Sequence, residues 1–221
     1  MFAVMFEAHP KPHRRDTYLE LVTLLDDDLR ATPGFLAHDR YRSLVRPGWV
    51  LSLSTWQDEK ALVRWRTHPR HQLAQTTGRD EIFVDYTVRT GELTRDTSLP
   101  GGGVLAGQRF DGTAAGAGNT AVLVGVPGVR HASTRDAGEL AAHLGLDLDA
   151  DGLTSWDVYE AVEAPGHVLL RTVWHDPAAA VTFESTAAFP GDPRVRRLRI
   201  IRWYSMYNRE EAPQYYPVDP A

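Results

Sequence analysis

The 221-residue chain has no cysteine. That excludes disulfides, thiolate nucleophiles and thiolate-held metal or iron–sulfur centres at once, and it fits a reducing, cytoplasmic setting. No run of about 18 apolar residues occurs, so no membrane-spanning helix is expected. The opening residues, MFAVMFEAHP, lack the basic and apolar regions of a signal peptide. Positive charge is also in short supply, with a formal net charge of -5. A general nucleic-acid binder or a protein drawn to anionic lipid needs a basic surface, so neither partner class is expected. The run Gly101-Gly102-Gly103 is followed by neither a Lys-Ser/Thr pair nor a dinucleotide fingerprint, and so is not a phosphate cradle.

What the sequence does have is an ordinary globular share of hydrophobic residues, 43%, with six Trp and eight Tyr. Glycine crowds the stretch 99–118, which reads as a linker between a first unit, 1–98, and a second, 119–221. Sliding the second unit back by 118 positions lays PGHVLLRTVWHDPAAA on PGWVLSLSTWQDEKAL. The same ungapped offset pairs Trp56 with Trp174, Asp58 with Asp176, Gly34 with Gly152 and Tyr41 with Tyr159. It also pairs Arg79 with Arg197 and Tyr86 with Tyr204. A tandem duplication is the expectation.

Each unit has one element order. In the first, 2–9 is an apolar strand. Residues 16–31 follow as a helix, with Tyr18, Leu21, Val22, Leu25 and Leu29 at helical spacing. Strands at 35–45 and 49–56 flank an Arg46-Pro47-Gly48 turn, Asp58 caps a second helix, and 81–93 is a long last strand. The second unit repeats this at 121–126, 134–144, 153–162, 167–174, 178–188 and 195–207. The order β-α-β-β-α-β is a ferredoxin-like unit, with helices on one face of a four-stranded antiparallel sheet. The other face needs a cover, and a second such sheet supplies it. The expected class is therefore α+β, with two tandem ferredoxin-like units packed sheet to sheet as an intramolecular pair.

The segment STWQDEKALVRWRTHPRHQLAQTTGRDEIFVDYTVRTGEL carries a strand ending in Trp56, an Asp58-Glu59 helix start and an Ala61-Leu62 pair. Trp65, His71, Gly78-Arg79 and Tyr86 follow. This pattern resembles the antibiotic biosynthesis monooxygenase family, a branch of the dimeric α+β barrel proteins. The resemblance implies a barrel built from the two units. It also implies a cofactor-independent monooxygenase, or related tailoring enzyme, using O2 on an aromatic polyketide-like molecule in secondary metabolism. Other branches imply haem binding or degradation, cyclisation or isomerisation, or a non-catalytic small-molecule-binding pseudo-dimer. The second unit puts Phe183 where the first has Trp65 and Phe189 where it has His71, so it reads as a diverged copy without the pocket chemistry. Two such chains could pair as a homodimer.

The candidate catalytic residues are His71, Arg79 and Tyr86, and the candidate substrate-binding residues are Trp65, His68 and Trp56. His71 is either a base facing a pocket, able to deprotonate a phenol or enol, or a helix-end histidine tied to backbone carbonyls. His68 lies three residues away, but Pro69 interrupts the helix between them, and no third ligand at metal spacing is readable. His71 or His68 would be the axial ligand if haem bound. Trp65 is core or an aromatic wall. Arg79 holds an anionic oxygen or a local salt bridge. Tyr86 and Trp56, paired with aromatics in the other unit, also read as core. The aromatic tail with Tyr215 and Tyr216 reads as a wrap over the first unit or an interface.

Overall fold

The computed structural model describes residues 1–100, 116, 118–130, 132, 135–210 and 212. Linker residues 101–115 and 117 and the Tyr215-Tyr216 tail lie outside the described residues. The elements run β1 (Phe2–Pro10), α1 (Arg15–Ala31), β2 (Phe35–Ser43), β3 (Val50–Trp56), α2 (Glu59–Arg66), α3 (Pro69–Thr77) and β4 (Phe83–Asp96). They continue as β5 (Thr120–Val126), α4 (Ala137–His143), β6 (Leu153–Ala161), β7 (Val168–Trp174), α5 (Pro177–Thr186) and β8 (Arg194–Ser205). A single π-helical turn, Gly78–Ile82, joins α3 to β4.

The local signals act as their chemistry requires. Asp58 Oδ1 accepts from the Ala61 N–H at 2.8 Å and starts α2. Asp176 Oδ1 accepts from the N–H groups of Ala178 and Ala179 at 2.8 and 2.9 Å and starts α5. Pro69 cannot continue α2 and instead opens α3 at a position where a missing N–H costs nothing. Gly34 and Gly152 both turn the chain with positive φ, 88° and 80°. A Cβ on either would lie 2.5 Å from Ala61 Cβ or 2.7 Å from Ala179 Cβ, so both positions also require close approach to a helix.

All eight strands form one closed antiparallel ring in the order β1-β3-β2-β6-β7-β5-β8-β4. Each unit contributes four neighbouring strands, and two seams join the units. At β2–β6, Arg42 faces Glu160 and binds it at 2.5 Å. At β4–β8, Glu92 faces Arg199 and binds it at 2.9 Å. Closure leaves no exposed sheet edge. The inward faces pack Met5, Leu51, Leu53, Leu123, Leu169 and Ile200 into the barrel.

A buried ionic network shares that lumen. Glu7, 1% exposed, takes Arg46 at 2.5 Å, Arg89 at 2.6 Å and Arg171 at 3.3 Å, together with the Tyr159 hydroxyl. Asp157 holds the other side of Arg46 at 2.6 Å. The ligands of this network come from both units, so it ties them together inside as the seams do outside.

Strand starts in β2 and β6, and in β3 and β7, are 118 residues apart, as the sequence offset requires. The last strands are not. Phe2 faces Glu92 while its counterpart Thr120 faces Arg199, a separation of 107. The second unit is eleven residues shorter between its last helix and last strand, where the first unit places α3 and the π turn. The pairings of Tyr86 with Tyr204 and of Arg79 with Arg197 are therefore corrected: neither pair occupies equivalent positions. An ungapped comparison cannot register a contraction, and arginines and aromatics on both strands supplied accidental matches.

Candidate active site

The helix-facing side of the first unit's sheet bears Val4 and Phe6 from β1, Ser52 and Ser54 from β3, and Tyr86, Val88 and Thr90 from β4. These residues, with α1, α2 and α3, enclose a cavity of about 240 Å³. The apolar stripe on α1 explains why it stays open. Leu21, Val22 and Leu25 are only half-buried because they line this space, Leu21 and Val22 at the edge of the cluster of Tyr18, Phe83 and Tyr86. In the second unit the same place is solid core: Leu140, Leu144, Leu170 and Phe183 pack with Trp156 and Phe189.

Four of the six sequence candidates meet at this cavity: Trp65, His71, Arg79 and Tyr86. The break at Pro69 folds α3 back so that the His71 ring lies flat on Trp65, 4.2 Å between centroids and 14° from parallel. His71 Nδ1 lies 2.9 Å from the Trp65 carbonyl. Gln75 Nε2 is farther from the same nitrogen, at 3.3 Å; the nearer carbonyl accepts only, so Nδ1 carries the proton and Nε2 is left as the basic nitrogen. Burial pushes the His71 pKa down to about 4, against the opposing pull of that carbonyl, so the ring is neutral at pH 7.

Tyr86 is 7% exposed, packs on Phe6 and Phe83, and its hydroxyl accepts from Arg209 Nη1 at 2.5 Å. Arg79 lines the cavity from the π turn, with Asp80 at 3.4 Å.

Two candidates are elsewhere. Trp56 is fully buried against Phe35, donates Nε1–H to Ser54 Oγ at 2.9 Å, and does not line the cavity. Its side chain follows the parity of Ser54 on β3 but stops beyond the cavity, in the cluster of Phe2, Leu29 and Ala61. His68 sits at the N-cap position of α3 without a side-chain capping bond and stacks on Trp65 at 5.7 Å, outside the cavity lining. Among the described residues, no group of three or more His, Asp or Glu is placed to hold a metal ion.

Several lining residues escape a sequence reading. His38 on β2 lies 2.8 Å from Ser52 Oγ, and burial, with Arg40 nearby, lowers its pKa. Its only sequence signal is parity: it alternates with Tyr41, which points into the barrel. Tyr204 and Arg209 come from the end of the second unit, delivered by the register that sets Val88 opposite Tyr204. Tyr18 lines the α1 side, and burial lifts its pKa to about 12.

Comparison with known proteins bears on this site. The profile of the antibiotic biosynthesis monooxygenase family matches residues 1–77. A Jasmonate monooxygenase ABM from Pyricularia oryzae is 41% identical over 98% of this chain and 99% of its own. The chain belongs to the antibiotic biosynthesis monooxygenase family. Family membership makes it a monooxygenase by class, acting with O2 on a small molecule. An uncharacterized protein, YqjZ, from Bacillus subtilis is 31% identical over 36% of this chain and 65% of its own. A solved structure of an aldoxime dehydratase in complex with butyraldoxime overlays 90% of this chain and 79% of its own, with a TM-score of 0.55 at 12% identity. That likeness shows a shared fold alone. Among the described residues no helix is long and apolar enough to cross a membrane.

Proposed function

We propose that the protein is a cofactor-independent monooxygenase whose substrate binds between the sheet and helices of the first unit and gives up a proton to His71. The observation that carries this reading is the anchored tautomer of His71, which presents a basic Nε2 on a cavity wall. A base with a pKa near 4 is weak, so the substrate's acidity must also be raised. The guanidinium groups on the cavity wall do this by stabilising the oxyanion as it forms.

For a benzylic CH2 flanked by aromatic rings, as in an anthrone, the steps balance. The proton passes to Nε2, and the carbanion gives one electron to O2. The two radicals then combine to a peroxide anion, which takes the proton back from Nε2 to become a hydroperoxide, and this loses water to leave a ketone. One oxygen atom enters the product and the other leaves as water.

An aromatic polyketide-like substrate draws support from the Trp65–His71 stack and from Phe6 and Phe83. The relative's name brings a jasmonate to the same cavity, and the aliphatic face of α1 suits that body. Haem is the second reading, because the bond that fixes His71 as a base would equally leave Nε2 to hold an iron. In that case His71 would hold the iron, and the haem would supply the redox chemistry.

Two measurements decide. Oxygen uptake with an anthrone, abolished in His71→Ala, supports the cofactor-independent reading. A Soret band in the purified protein that is lost in His71→Ala replaces it with haem.

Within the same proposal, residues 1–98 and 119–221 are products of a tandem duplication, supported by the 118-residue spacing and the matched caps. The protein works in the cytoplasm, and gel filtration tests whether two chains pair.

A further inference from the structure

The cavity wall is electrically one-sided. It carries Arg66, Arg79 and Arg209, and among the described residues that line it there is no aspartate or glutamate. In a chain whose net charge is -5, three guanidinium groups gather on one largely apolar cavity, Arg79 with Asp80 at 3.4 Å. Two of them converge with two phenols. Arg209 donates to the Tyr86 hydroxyl at 2.5 Å and sits 5.9 Å from the Tyr204 ring centroid. The field of Arg66 reaches both Tyr204 and His71, and it opposes the rise that burial imposes on the Tyr204 pKa.

Arg209 is held in place. The Ser205 N–H donates to the Asn208 carbonyl at 2.7 Å, and the Met206 N–H donates to the Tyr86 carbonyl at 3.0 Å. Tyr207 Oη donates to the Val84 carbonyl at 3.1 Å. The segment that carries Arg209 is therefore stapled across β4. A planar fork positioned beside phenol hydroxyls is the geometry that receives a carboxylate. The cavity wall also carries the aliphatic side chains of Leu21, Val22, Leu25 and Leu29.

We propose that this cavity takes a carboxylic acid with an aliphatic body, its carboxylate received by Arg209 and Arg66 beside Tyr86 and Tyr204. The inference rests on the reading of this cavity as the substrate site, and it names the substrate class and the residues that select it. It also gives the second unit a role in binding, since Tyr204 and Arg209 both come from that unit. The carboxylate anchors the molecule at Arg209 and Arg66 and sets which carbon lies against His71.

The test is calorimetric titration of the full chain at pH 7 with jasmonic acid and, separately, methyl jasmonate, which differ only at the carboxyl. The acid is expected to bind at least tenfold more tightly. Arg209→Gln should remove most of that preference by weakening the acid at least tenfold more than the ester, Arg209→Lys should restore part of it, and Arg66→Gln should act in the same direction. Equal affinity for acid and ester overturns the proposal, as does failure of both to bind. An equal loss of ester and acid affinity in well-folded Arg209→Gln and Arg66→Gln also overturns it. Oxygen uptake on the same samples separates the two readings. An arginine-dependent preference without uptake refutes the oxygenase reading and leaves the carboxylate site standing. Uptake with no preference does the reverse.

Discussion

Glu7→Gln tests whether the barrel interior is held by charge. Glu7 is buried in the lumen, and burial alone would raise its pKa. Arg171, Arg89, Arg46 and the Tyr159 hydroxyl outweigh that cost and hold it at about 2, against an ordinary value of 4.5. At about 1.4 kcal/mol per tenfold, the ionised carboxylate contributes about 3 kcal/mol of stability. The substitution keeps the side chain's shape but leaves three guanidinium groups with Asp157 as their remaining carboxylate in the network. Breaking a buried pair in this way costs about 3–5 kcal/mol. For a chain of this size that lowers Tm by on the order of 10 °C.

The pH dependence is the sharper readout. Folded Glu7 keeps its charge down to about pH 2, whereas the unfolded chain takes up the proton near pH 4.5. The stabilisation is complete above pH 4.5 and is lost as pH falls towards 2. A protonated Glu7 and the glutamine variant are nearly isosteric, so the gap between wild type and variant should close over that window. Urea unfolding at a series of pH values measures it. A gap below about 1 kcal/mol at pH 6, or one that does not narrow on acidification, would refute the reasoning.

His71→Gln should lower turnover by about 10²–10⁴-fold with little change in Tm. In the wild type, the rate limb assigned to this ring should lie near pH 4, with activity falling below it as Nε2 takes up a proton, and a pH–rate profile checks this. Trp56→Ala should cost about 3–5 kcal/mol in chemical denaturation, as expected of a fully buried ring. Trp65→Ala should instead chiefly weaken ligand binding by calorimetry. Gly34→Ala forces a side chain into a positive-φ position and against Ala61, so it should cost about 1–3 kcal/mol. Gly152→Ala, in the matching turn, should behave alike in the same thermal melts.

Elements and caps were legible in the sequence because their causes are local. The α1 stripe, the Asp58 and Asp176 caps and the break at Pro69 each act within a few residues. The meeting of Trp65 and His71 was legible for the same reason, since a short break and one turn of helix bring them together. Trp56 and His68 were misplaced because periodicity gives the face of an element but not where along that face a cavity ends. The contributions of Tyr204 and Arg209 were hidden for a different reason. They depend on a seam between strands more than a hundred residues apart and on an eleven-residue contraction that shifts the register of the last strand. His38 carried only a parity signal, and a lone histidine on a strand is ordinary.

One polypeptide supplies both seams of the ring, and this frees the two halves from each other. A ring assembled from two identical chains installs every substitution twice, once in each symmetric position. Here a change in one half stays in that half. Trp156 and Leu170 could fill their side of the molecule while His38 and Ser52, 118 positions earlier, kept an open cavity. The outcome is a division of labour. One half holds the cavity, and the other serves as a buttress that lends Tyr204 and Arg209 across the seam. Selection can then adjust the hold on a ligand from the half that does not enclose it.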